Sequence, residues 1–256
     1  MYSIAYWRQK MTHENKKYKN PPVVEALCEI FFSDSKWDST LPGLFYERIK
    51  SAYPKKKELQ QIGVEVNVSK EAQASKVSRG NTRLQFLKED GSQLIQIEKD
   101  LLVVNQLRPY PKFEEWKPVV DKMLNVYCEL AQPKGIKQIS TRYINKIVIP
   151  AATFKMEEYF YLYPEVPDSL SAMHGKFMMR LEIPPKNEGH NLIITFGTST
   201  ADAPVTSAQL LDLYDIFVSP LLISDRVIDK YLEDAHENIV VAFENSITDK
   251  TRKLFD

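Results

Sequence analysis

The chain has 256 residues, of which 43% are hydrophobic and 27% are charged. These fractions are normal for a globular protein, and the length allows one large domain or two small ones. The 34 Lys and Arg residues balance the 34 Asp and Glu residues, so the formal net charge is zero. Strong nucleic-acid binders usually carry a basic excess, so only a local basic patch can serve that role here.

The cysteines and the apolar runs bear on the cellular compartment. Cys28 and Cys128 each lie in an apolar run, which favours buried free thiols over a disulfide or a metal site. No run approaches the ~20 apolar residues that a membrane span needs, and residues 1–20 contain no signal-peptide core. We therefore expect a soluble cytoplasmic protein without a membrane association, a cofactor or a metal. Residues 1–19 are expected to form a flexible tail.

The first half of the chain predicts a strand, a helix, four strands and a second helix. The strand at residues 23–32 has one wholly apolar face and one mixed face that carries Glu25 and Glu29. A helix is expected at residues 41–52, followed by strands at 62–68, 83–88, 93–98 and 101–107, with Asp90-Gly91 as a hairpin signal. The next helix, of about fifteen residues, has Pro118 in its first turn, where the missing N–H costs little.

The second half begins with a long predicted strand at residues 136–149, which places Arg142 and Lys146 on one face and Tyr143 and Ile147 on the other. A short helix at 154–161 and strands at 176–183 and 191–196 follow. Residues 210–217 alternate imperfectly, so they are a strand or a helix. The longest helix is predicted at residues 225–245, with Ser224 as its N-cap.

The order of elements is similar in the two halves. We therefore predict an α+β fold of two similarly ordered units, residues 20–135 and 136–256, each a mainly antiparallel sheet with helices on one face. A long C-terminal helix is expected to close the fold. No low-complexity linker separates the halves, so one continuous domain stays open as an alternative.

Three motifs carry a resemblance to a known family. They are N-P-P-V-V-E-A at residues 20–26, R-Y-I-N-K-I at 142–147, and A-H-E-N at 235–238 followed by Phe243 and Ile247-Thr248. Together they resemble a sporadically distributed prokaryotic family of similar length, which has a serial name and is described as being of unknown function. The resemblance covers about residues 18–255 and implies no catalytic residues. A patchy distribution is typical of mobile, accessory or phage-defence genes.

The candidate ligand-binding residues are Arg142, Lys146, Glu25 and Arg180, because an arginine on a rigid strand can hold a phosphate or carboxylate with two hydrogen bonds. An internal salt bridge is the alternative for Arg142. Glu25 and Glu29 share a strand face, but four residues separate their backbones by ~13 Å, which argues against an acid–base pair. A solvated face, or pairing with a neighbouring strand, is the simpler reading of the two carboxylates.

The candidate partner-binding residues are Tyr2, Tyr6, Trp7 and His236. The three aromatic residues of the tail can anchor in a groove of another protein. His236-Glu237 suggests a zinc protease, but such a motif needs a second histidine where this chain has Val240. His236 is therefore expected in packing or at an interface.

The sequence contains no nucleophile elbow and no glycine-rich phosphate loop. The leading hypothesis is thus a non-catalytic interaction protein that forms part of a larger assembly or a homo-oligomer. A ligand-binding or enzymatic site between the two units is the first alternative. The second alternative is contact with RNA or DNA through the lysine clusters at residues 16–19 and 55–57.

Overall fold

The computed structural model describes residues 18–69, 72–167, 169–170, 175–184, 189–221 and 225–256, with the backbone alone for residues 60–69, 72–81, 219–221 and 225–227. The strands are β1 Val23–Ser33, β2 Lys55–Ser69, β3 Ala72–Leu87, β4 Gln93–Glu98, β5 Leu101–Leu107, β6 Gly135–Ile149, β7 Met178–Ile183, β8 His190–Ser199 and β9 Ser207–Leu221. The helices are α1 Leu41–Ile49, α2 Phe113–Ala131, α3 Met156–Tyr159, α4 Asp225–Ser246 and α5 Asp249–Arg252.

The nine strands form one antiparallel sheet in the order β2-β3-β4-β5-β1-β6-β9-β8-β7. This architecture confirms the predicted α+β class. At the centre, β1 pairs with β6 so that Cys28 lies opposite Thr141. The first strand of each half therefore lies in the middle of the sheet. In each half the strand before the last long helix, β5 or β9, lies next to that central strand, and the earlier strands follow in order toward the edge.

One face of the sheet is apolar and packs against the helices. Alternation in β1 places Ala26, Cys28 and Ile30 on this face, and none of the three has measurable exposure. Helix α2 contributes Trp116 and Tyr127, which are also fully buried. Burying a large apolar side chain contributes about 1.5–3 kcal/mol, so this face supplies most of the drive to fold.

Several element boundaries differ from the sequence prediction. Helix α2 begins at Phe113, so Pro118 is the sixth helical residue rather than part of the first turn. The helix loses the one hydrogen bond that a residue at position 118 would donate, but the burial of Trp116 and Val120 on either side holds it together. Residues 210–217 lie within strand β9, which settles their conformation.

A buried polar cluster attaches α4 to the sheet. Asp215 of β9 has no exposed surface. Its carboxylate lies 2.7 Å from Nδ1 of His190 and accepts a hydrogen bond of 2.9 Å from Nδ2 of Asn238. The hydroxyl of Tyr231 donates to the backbone oxygen of Asp215 at 3.1 Å. Because a buried carboxylate is costly without partners, these bonds fix where Tyr231 and Asn238, and hence α4, rest on the strands.

A second buried cluster joins the start and the end of the described chain. Arg252, only 5% exposed, donates from Nε to Glu244 at 2.8 Å. The hydroxyl of Tyr18 donates to the other oxygen of Glu244 at 2.8 Å, and the Tyr18 ring packs edge-on against Phe255. The backbone of Asn20 donates to that of Phe255 at 2.9 Å. Tyr18 therefore belongs to the folded body.

Replacing Arg252 with Met should lower the free energy of unfolding by about 3 kcal/mol, because Glu244 would keep a buried charge without its cation. Lys253→Met, at the neighbouring exposed position, should change it by less than about 0.5 kcal/mol. Urea denaturation of both variants measures the difference. Glu244→Gln added to Arg252→Met should recover part of the loss, and no recovery would show that the loss comes from packing alone.

Candidate functional site

The second face of the sheet carries polar and charged side chains, and we call it the uncovered face. The helices of the described residues contribute their buried side chains to the core on the opposite face. Alternation and register place Glu25 and Glu29 of β1 on the uncovered face beside Arg142 and Lys146 of β6. A small apolar cluster of Leu27, Leu101, Val103 and Phe31 lies among them.

The four residues predicted to bind a ligand all lie on this face but do not converge. The sheet register forms a row of Arg180, Thr195, Asp212, Ile144 and Glu25 on the adjacent strands β7, β8, β9, β6 and β1. Each predicted residue has a partner of its own. Arg142 binds Asp212, Lys146 binds Asp202 at 2.5 Å, Arg180 binds Glu182 at 2.8 Å, and Glu25 binds Asn105 at 2.6 Å.

A chain of amide hydrogen bonds crosses four strands of the uncovered face. Gln85 of β3 donates to Gln96 of β4, and Gln96 donates to Asn105 of β5, both at 2.9 Å. Asn105 then donates to a carboxylate oxygen of Glu25. Gln96 and Asn105 each accept one of these hydrogen bonds and donate the next, so the chain has a direction that ends on the carboxylate. This network holds the side chains in one arrangement before any partner arrives.

A second network centres on Arg142. Its Nε and Nη2 donate to the two oxygens of Asp212 at 2.8 and 2.5 Å. The guanidinium carbon lies 5.6 Å from the ring centre of Tyr214, within cation–π range. Asp212 takes two of the five N–H groups of the guanidinium, which leaves three for other acceptors. The side chain of Arg142 is 39% exposed, so those groups can be reached from outside.

Glu29 receives neutral donors from two strands. The hydroxyl of Ser140 donates to it at 3.2 Å, and the hydroxyl of Tyr214 donates at 2.9 Å. Burial, and then the charge of Glu29, raise the pKa of Tyr214 to about 12, so its hydroxyl remains a donor at neutral pH. Glu25 is likewise bound by a neutral amide. Among the described residues, neither carboxylate has a cation within salt-bridge distance.

Sequence reasoning missed Asp212, Tyr214 and Asn105, which complete these networks. A single signal pointed to Asp212, namely an acidic residue within the apolar run of residues 210–213. Its pairing with Arg142 follows only from the register of β6 against β9. Asn105 resembles an ordinary polar residue of a strand until β5 is placed beside β1.

His236 has contacts within the protein. Its ring stacks on Phe113 with centres 4.1 Å apart, and its Nδ1 lies 3.0 Å from the hydroxyl of Tyr143. That hydroxyl is also 2.8 Å from the hydroxyl of Tyr110. Burial lowers the pKa of His236 to about 4, against a smaller opposing effect of the nearby Glu114. The imidazole is therefore neutral at physiological pH.

The remaining sequence candidates are distributed elsewhere. Tyr2, Tyr6 and Trp7 lie outside the described residues. In the cluster at residues 55–57, Lys55 pairs with Glu89 at 3.1 Å and Lys56 lies over the ring of Tyr46. Cys28 and Cys128 are not joined in a disulfide; Cys28 is buried and Cys128 is half-buried.

A surface cleft of about 1070 Å³ opens where β6 ends and the chain continues into α3. Its lining includes Phe154, Lys155, Phe177, Ser199 and Lys250. None of the four predicted ligand-binding residues lines this cleft. Among the described residues, no group of three or more His, Cys, Asp or Glu side chains could hold a metal ion.

Comparisons with known proteins leave the family open. No family model matches the chain, and no curated protein matches it either. None of the helices in the described part of the chain is both long and apolar enough to cross a membrane. The resemblance drawn from the three sequence motifs therefore stays a prediction, and the case for a function rests on the uncovered face.

The low pKa of His236 predicts a pH-dependent stability. The unfolded chain takes up a proton near pH 6.5, whereas the folded protein resists protonation down to about pH 4. The stability that the neutral His236 contributes is therefore fully present above pH 6.5 and is lost as the pH falls to 4. The free energy of unfolding should fall by about 3 kcal/mol over this range. His236→Asn, which can keep a hydrogen bond to Tyr143, should remove that part of the pH dependence.

Denaturation of both proteins between pH 7.5 and 4 tests this, because the protonation of the carboxylates is common to the two curves. Asn lacks the ring that stacks on Phe113, so the variant should be less stable at pH 7.5. The difference between the curves should shrink as the pH falls. A constant difference across the range would contradict the prediction.

Proposed function

We propose that this chain is a non-catalytic interaction protein that receives basic side chains of a protein partner on the uncovered face. The observation that carries this proposal is the state of Glu25 and Glu29, two half-buried carboxylates held by neutral donors alone among the described residues. Neither forms an ion pair with a cation of the described residues, and each is fixed in position by a neighbouring strand. A partner that supplies Lys or Arg would complete both as ion pairs.

The rigidity of the surface supports binding. Association costs about 0.5–1.5 kcal/mol for each flexible side chain that it immobilises. On the uncovered face, Asn105 and Ser140 already hold the two carboxylates, and both are almost fully buried. The side chains of this protein therefore lose little conformational freedom on binding. A larger share of the ion-pair energy then remains as affinity.

The spacing of the charged side chains on the uncovered face also favours a protein partner over a small ligand. A ligand site between the halves would need Arg142, Lys146, Glu25 and Arg180 around one cavity. Each has its own partner on a broad face, and the cleft lies elsewhere. A broad face with spaced charges suits an extended interface, where complementary charges guide the approach of the partner.

The wider setting is part of the same proposal. The motif resemblance supports a cytoplasmic subunit of a prokaryotic assembly in an accessory or phage-defence system. The equivalent strand order in the two halves supports two repeated α+β units, with α4 closing the second. In that arrangement the uncovered face spans both units, and its two carboxylates lie at their junction on β1.

The proposal is tested with a fluorescent oligolysine peptide as the probe, titrated by anisotropy at low salt. Replacing both Glu25 and Glu29 with Gln should weaken binding at least about tenfold, because two pre-positioned charges are lost. Glu115→Gln with Glu237→Gln removes the same charge from two exposed positions on helices and should leave binding within about twofold. Higher ionic strength should weaken binding to the unmodified protein.

Three outcomes would overturn the proposal. The first is an absence of binding to the unmodified protein. The second is an equal loss in both double variants, which would mean that net charge alone attracts the peptide. The third is equal binding of an oligoglutamate peptide, which would show that the acidic residues do not select the partner. Circular dichroism confirms that each variant is folded.

A further inference from the structure

Strand β7, Met178–Ile183, lies at one edge of the sheet and pairs with β8 on its inner side. Its residues are exposed except for Met179, which is half-buried. Among them, Met178 is 79% exposed, Leu181 39% and Ile183 40%. An edge strand presents unpaired backbone N–H and C=O groups, which can pair with another strand.

The two faces of β7 differ in chemistry. Arg180 and Glu182 project from the uncovered face, and the Nη2 of Arg180 lies 2.8 Å from a carboxylate oxygen of Glu182. Met179, Leu181 and Ile183 alternate with them on the helix side. Helix α4 packs on β9, β6 and β8, and the apolar side chains of β7 beyond them keep their exposure.

We propose that β7 pairs with β7 of a second copy of this chain, antiparallel and with a two-fold axis at Leu181. In this register Arg180 lies opposite Glu182 of the second copy, and Glu182 lies opposite its Arg180. On the other face Leu181 meets its own equivalent, and Met179 meets Ile183. Both the charged and the apolar side chains are therefore self-complementary, and the two sheets join into one.

The charges favour this register, because it alone places Arg180 and Glu182 of the two copies opposite each other. In a two-fold antiparallel pairing one residue must lie opposite its own equivalent, because the axis is perpendicular to the sheet and directly opposite side chains lie on the same face. Centring on Arg180 or on Glu182 would place two like charges directly opposite each other, which is destabilising. Centring on Leu181 replaces the pair within each strand by two pairs across the new ladder. Pro184, which cannot donate, falls beyond the last residue of the strand.

The chain as a whole does not oppose this association. Its formal net charge is zero, so two copies meet without a net repulsion. This proposal does not depend on the proposed function, because it uses the edge of the sheet and not the carboxylates of β1. A dimer would leave Glu25 and Glu29 exposed to another partner.

The test uses the full chain, with mass measured by light scattering after size exclusion over a range of concentrations. The unmodified protein should show a concentration-dependent shift from the 29.6 kDa monomer toward twice that mass. Arg180→Glu and Glu182→Arg should each raise the apparent Kd for dimerisation at least about tenfold, because each places like charges opposite one another. The double variant with both substitutions exchanges the charges and should dimerise like the unmodified protein.

Mixing the two single variants gives the sharpest result. One carries two acidic side chains at positions 180 and 182 and the other carries two basic ones, so an equimolar mixture should form a heterodimer although neither variant dimerises alone. A monomer at every concentration of the unmodified protein would overturn the proposal. So would a dimer that persists in both single variants, since it would then form through another surface.

Discussion

The antiparallel pairing of β1 with β6 is the contact that makes one sheet of the two halves of the chain. Its register sets Cys28 opposite Thr141 on the helix side, and Glu29 opposite Ser140 on the uncovered side. Because side chains alternate along a strand, a slip of one residue would move the apolar set of β1 to the wrong face. The same pairing thus determines both the core and the polar surface, and neither can change without the other.

The two faces meet different physical demands. On the helix side, apolar burial is non-directional, and the polar cluster around Asp215 helps to fix the position of α4 on the sheet. On the uncovered side the central residues are also poorly exposed, with Ser140 at 0% and Asn105 at 2%. There the polar groups form hydrogen bonds with each other across the strands. Such a network requires one specific arrangement of side chains, whereas the core requires only buried apolar area. The side chains of such a surface are held in position before a partner binds.

Much of the fold could be predicted from local patterns, and much of the site could not. The alternation around Glu25 and Arg142 placed both on the correct strands, with Glu25 on a mixed face and Arg142 on a polar one. Asp212 and Asn105 were missed because their roles depend on which strand lies beside them, and pairing between distant segments leaves no local trace. The start of α2 was wrong for a related reason. The buried side chain of Trp116 holds a turn that Pro118 alone would not favour.

The central position of β1 also has a consequence for folding during synthesis. This strand leaves the ribosome before its hydrogen-bonding partners β5 and β6, which follow it by tens of residues along the chain. The hairpins β2–β3 and β4–β5 need only local contacts and can form while β1 is still unpaired. Strands β8 and β9 pair in the same local way before α4 is complete. We therefore expect β1 to dock late, with its apolar face in need of protection until β6 has been made.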